Sequence, residues 1–68
     1  MGAENEREAM VRDCESDAGT LLSASGELWR RVMREPRDWS AVAGIADTMA
    51  QRLQSLRLHA ALLAQGEP

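Results

Sequence analysis

The fold is decided at residues 34–39, where the chain reads Arg-Glu-Pro-Arg-Asp-Trp. A proline excludes its predecessor from helical geometry, and an aspartate just before an apolar-periodic stretch is a good N-cap. The sequence therefore predicts that one helix ends at residue 34, that residues 35–38 form a turn, and that a second helix starts at 39. Such a short connection makes the two helices antiparallel neighbours.

The stretch before the turn has the period of an amphipathic helix, predicted over residues 9–34. At about 100° per residue its apolar side chains share one arc, and charged and hydroxyl side chains occupy the opposite side. Gly19 and Gly26 lie at the edge of the arc and lower helix propensity by about 0.8–1 kcal/mol each relative to alanine. Residues 1–8 are rich in glutamate and lack an apolar period, which predicts a disordered acidic N-terminus. The members of the arc are Met10, Val11, Cys14, Ala18, Leu21, Leu22, Leu28, Trp29, Val32 and Met33.

The stretch after the turn repeats apolar residues every three or four positions, which predicts a helix over residues 39–64. Such a heptad-like repeat requires a facing helix. Gly66 and Pro68 are typical of residues that follow a helix C-terminus. The repeat consists of Val42, Ile45, Met49, Leu53, Leu56, Ala60 and Leu63, and Trp39, Ala46 and Ala50 widen it.

The predicted fold is all-α: residues 9–68 form a single antiparallel two-helix hairpin. Each apolar arc is wider than the strip that one facing helix covers, so two hairpins are expected to pair as a homodimeric four-helix bundle. A heteromeric complex and a monomer are the alternatives. The expected self-association core consists of Leu21, Leu28, Val32, Val42, Ile45, Met49, Leu53 and Leu56.

Reactive side chains are scarce in the 68 residues. Cys14 is the sole cysteine and His59 the sole histidine, so an internal disulfide is impossible and a structural zinc site lacks ligands. Cys14 lies on the apolar arc of the first helix, whereas His59 is placed on the polar side of the second, away from the heptad. We therefore expect no catalytic pair, no enzyme activity, no cofactor and no metal.

The charge pattern argues against binding to nucleic acid or to a membrane surface. Eleven acidic residues outnumber eight basic ones, and the formal net charge is −3. Acidic residues concentrate before residue 18 and arginines at residues 30–37, which makes the hairpin electrically polar along its axis. With neither an export signal nor a membrane-spanning apolar run, the expected location is cytoplasmic.

These features together favour a non-enzymatic protein–protein interaction module that binds, and inhibits or chaperones, another protein. In shape alone the hairpin resembles small helical adaptors and inhibitors such as secretion chaperones. The alternatives are a purely structural self-oligomerisation element and a small nucleic-acid-associated regulator. Tryptophan and arginine are enriched at binding hot spots, and two leucines four residues apart can anchor a helix in a groove. The expected partner-binding residues are Trp29, Trp39, Arg57, Leu58 and Leu62.

Overall fold

The protein is a hairpin of two long antiparallel helices, α1 (Gly2–Met33) and α2 (Trp39–Gln65). This computed structural model describes the backbone of residues 2–66 and the side chains of residues 5–66. The hairpin measures 53 × 18 × 14 Å, so it is a thin rod. The predicted all-α hairpin is confirmed.

The turn lies where the sequence predicts it. Asp38 Oδ1 accepts a hydrogen bond from the Ala41 backbone N–H at 3.2 Å, which caps the start of α2. Arg37 Nε donates to the Val32 carbonyl at the end of α1 at 2.6 Å, and its Nη1 donates to Glu35 Oε1 at 2.9 Å. These contacts hold the end of α1 and the start of α2 against the same short connection.

The start of α1 differs from the prediction. Residues 2–8 are helical, whereas the sequence predicted disorder over residues 1–8; Met1 lies outside the described residues. One long-range contact favours the longer helix. Arg7 Nη1 donates to the Leu63 carbonyl on α2 at 3.4 Å.

The helices meet along a narrow strip, which we call the seam. It consists of half-buried side chains on the facing sides of the helices, together with the buried Asp17 and the exposed Arg52 that pairs with it, and it includes seven of the eight residues predicted for the self-association core. On α1 the seam comprises Met10, Cys14, Asp17, Leu21, Ala24, Leu28 and Val32. On α2 it comprises Val42, Ile45, Met49, Arg52, Leu56, His59 and Leu63.

The position of Leu53 is a correction to the predicted repeat. Leu53 is 53% exposed and Ala60 is also exposed, so neither lies in the seam of the hairpin. His59, one residue before Ala60, is half-buried instead, and Arg52, one residue before Leu53, is itself exposed but reaches across to Asp17. Five of the seven positions of the predicted repeat are half-buried, so the repeat is displaced by one residue at positions 53 and 60 alone.

Asp17 explains the place of Arg52. It is the one buried side chain among the described residues, at 3% exposure, and no described apolar side chain is buried. Arg52 Nη1 donates to Asp17 Oδ1 at 3.4 Å, while Oδ2 has no hydrogen-bond partner. A buried carboxylate is costly unless it is paired, so facing Arg52 toward the seam is favoured over facing Leu53 there.

We predict that Arg52→Ala lowers the free energy of unfolding by about 1–3 kcal/mol, because Asp17 then remains buried without a charged partner. Asp17→Leu is expected to be neutral or stabilising, since it replaces a buried charge by an apolar side chain of similar size. Urea unfolding followed by circular dichroism at fixed protomer concentration measures both effects. The control is the exposed Arg12→Ala; equal stability of the two arginine variants would contradict this role for Asp17.

Candidate functional site

The hairpin has two broad sides that differ in character, and the seam defines both. On either helix, the residue that follows a seam residue lies about 100° further around the helix axis. Because the helices are antiparallel, these following residues lie on the same side of the hairpin, and the residues that precede seam residues lie on the other. We call the first the apolar side and the second the polar side.

The apolar side carries most of the large exposed apolar side chains. From α1 it contains Leu22, 77% exposed, and Trp29, 66% exposed; from α2 it contains Trp39, 61% exposed, and Leu53. Small side chains lie between them. The members of the apolar side are Val11, Ala18, Leu22, Trp29, Met33, Trp39, Ala43, Ala46, Ala50, Leu53, Ala60 and Ala64, interrupted by Glu15, Ser25 and Arg57.

The polar side contains an open groove between the helices. Hydroxyl-bearing, charged and small residues line it, including Ser16, Thr20, Ser23, Glu27 and Thr48. Ala24, Ala41 and Ile45 complete the lining, so the groove is mixed in character.

The arginines near the turn are engaged by neighbouring acids. Glu27 accepts hydrogen bonds from Arg30 and Arg31, each at 2.9 Å, and these bonds lower the pKa of the Glu27 carboxyl. Arg37 binds Glu35 at 2.9 Å. These pairs reduce the net positive charge that the turn end offers to a phosphate backbone.

His59 lies in the seam rather than on the polar side predicted for it. It is half-buried, and its Nδ1 atom is buried without a hydrogen-bond partner. The contacts of Asp17 with Arg52 and of Arg7 with Leu63 place His59 near the height of Met10. His59 follows Arg52 by seven residues and so lies on the same face of α2.

Cys14 is half-buried in the same seam. Within the part of the chain that the structure describes, no three histidine, cysteine or carboxylate side chains group as metal ligands. Neither described helix combines the length and the apolarity that crossing a bilayer requires.

The five predicted partner-binding residues are brought together only in part. Arg57, at the outer edge of the apolar side, lines one open groove of α2 with Leu58. Trp29 and Trp39 lie on the apolar side, whereas Leu58 and Leu62 precede seam residues on the polar side. Both leucines are exposed.

Sequence reasoning missed the role of Leu22 and of the alanines at positions 43, 46 and 50 as one exposed surface. The signal was present in their spacing, because each follows a residue of the seam. It was hidden because the predicted repeat placed Leu53 inside the seam and so merged the seam with the apolar side.

Comparison with known protein families, with curated proteins and with solved structures gives no match. The function is therefore inferred from the geometry of the two sides.

Proposed function

We propose that this chain is a non-enzymatic protein–protein interaction module that acts as a homodimeric four-helix bundle. The observation that carries the proposal is the apolar side, which runs the length of the hairpin with both tryptophans exposed. Contiguous exposed apolar surface of this kind marks a site of protein association.

The exposed area supports a partner of the size of a second copy. The accessible surface is 5426 Å², whereas a compact monomer of 7.5 kDa exposes roughly 4,200 Å². The excess is about 1,200 Å² per chain, and stable interfaces bury about 800 Å² from each partner. One docked copy of the same hairpin would remove an area of this order.

The free energy available from burying apolar side chains also favours a second copy. A domain of fewer than about 70 residues seldom obtains more than 3–5 kcal/mol from its own core, and here no described apolar side chain is buried. Burying a leucine or a comparable side chain contributes about 1.5–3 kcal/mol. Covering Leu22, Trp29, Trp39 and Leu53 on two chains at once therefore contributes more than the seam alone can.

In such a bundle the polar side faces outward. Leu58 and Leu62 then remain exposed on the surface of the dimer, together with the groove. We propose that this outer strip binds a different protein, while Trp29 and Trp39 serve self-association.

The dimer is tested by two leucines of the same helix with similar exposure, Leu53 on the apolar side and Leu58 on the polar side. Leu53→Glu should convert the protein to monomers and lower its helical content, because a carboxylate would be buried at the interface. Leu58→Glu should leave the dimer intact. Sedimentation equilibrium at micromolar concentration measures both, and a dimeric Leu53→Glu variant or a monomeric parent protein would rule out the proposal.

The outer strip is tested separately by Leu58→Glu/Leu62→Glu. This variant should keep the circular dichroism and the dimer mass of the parent protein while losing capture of a partner from native lysate. The matched control replaces Ser40 and Gln65, two exposed polar residues of the same helix outside the groove that contains Leu58, by glutamate. If the leucine variant instead dissociates into monomers, these leucines belong to the self-interface.

A further inference from the structure

On the basis of the proposed homodimer, we infer how the second copy docks: its turn lies at the same end, and α1 of each protomer packs along α2 of the other. In this arrangement Glu15 pairs with Arg57 of the second copy. Leu22 and Trp29 pack over Ala50 and Ala43 of the second copy. The inference rests on the outer edges of the apolar side, which differ between the two helices.

The edge formed by α1 carries large or acidic side chains at seven-residue intervals, Glu15, Leu22 and Trp29. The edge formed by α2 has small side chains at the same intervals, except at one position. Its members are Ala43, Ala50, Arg57 and Ala64, and Arg57 is the exception. The large side chains on the edge of α1 are thus matched by small side chains on the edge of α2.

The charges are matched as well. Among the residues that follow a seam residue between Met10 and Leu63, Glu15 and Arg57 are the charged ones. Both are exposed, and within the described hairpin no ion pair joins them. Each lies at an outer edge of its own chain, on the side where the other chain would pack.

The register of the seam fixes the positions of these residues along the long axis of the hairpin, which we call their heights. Because Asp17 binds Arg52, Glu15 lies within about one helical turn of the height of Arg57. The same register places Leu22 within about one turn of Ala50. Trp29, one heptad further toward the turn, is likewise close in height to residue 43.

Two symmetric dockings of the apolar side are available, and they treat these residues differently. A two-fold axis parallel to the helices keeps each residue at the same position along the hairpin axis in both copies and places α1 over α2 of the second copy. Glu15 then lies near Arg57 of the second copy, and the large side chains of α1 lie over the alanines of α2. A perpendicular two-fold places α1 over α1 with the turns at opposite ends. With the hairpins fully overlapped, Glu15 would then lie against Leu22, and the carboxylate would lose water without gaining a partner. The parallel axis is favoured.

Cross-linking distinguishes the two dockings because a disulfide requires β-carbons about 3.8 Å apart. Two single-cysteine chains are made in a Cys14→Ala background, one with Leu22→Cys and one with Ala50→Cys. On mild oxidation, the mixture should form a disulfide between the two different chains faster than either chain forms one with itself. A mixture in which the disulfide between the two different chains forms no faster than the disulfides within each kind of chain would overturn the parallel arrangement.

Charge exchange gives an independent readout. Glu15→Arg and Arg57→Glu should each weaken dimerisation, by about tenfold in Kd, because two symmetry-related pairs are disrupted in every dimer. The double variant should recover most of the parent affinity. Failure of recovery would contradict the pairing.

Sedimentation of the Cys14→Ala background separates this inference from the proposed function. If the Cys14→Ala protein is monomeric, the proposed homodimer is refuted. If it is dimeric but forms the wrong disulfide, or does not recover affinity in the charge-exchange double variant, only the inferred docking is refuted. If the introduced cysteines dissociate the dimer, the charge exchange decides.

Discussion

The seam between α1 and α2 is a single row of side chains on each helix, and the rest of the structure depends on how little it covers. Two helices in contact hide only the strip between them, so side chains about 100° away stay in water. Among the side chains of residues 5–66, Asp17, a carboxylate, is the one that is buried. The seam sets the register of the helices but buries no apolar side chain of that range.

The pairing of Asp17 with Arg52 links this constraint to the proposed function. Arg52 reaches across to Asp17, and the next residue, Leu53, lies on the apolar side with Ala46 and Ala60. A polar pair in the seam thus lowers the burial available within one chain and raises the apolar surface offered to another. Buried polar residues are best attested in this role of setting register between helices.

Both helices and the turn were predictable because their signals are local. Pro36 and Asp38 fix the break, and the apolar period on each side of it fixes the helices. The start of α1 was missed because composition alone suggested disorder over residues 1–8, whereas a contact between Arg7 and the distant Leu63 carbonyl accompanies the longer helix. Such a long-range contact has no local sequence signal.

The places of Leu53 and Ala60 were the second failure, and they determined how the site was predicted. Two rows of residues in α2 have the same seven-residue spacing, one through Leu53 and one through Arg52. Hydrophobicity favoured the first, but Asp17 on the facing helix favours the second. The correct choice requires knowing which residue of α1 lies opposite, and that is tertiary information.

The central claim is that the hairpin needs a second chain to be stable, and the concentration dependence of thermal unfolding tests it most directly. Circular dichroism melts from about 1 to 100 µM protomer should show a midpoint that rises steadily with concentration, because a dimer that unfolds to monomers obeys mass action. A cooperative transition whose midpoint does not move over that range would show that one chain folds on its own and would contradict the account.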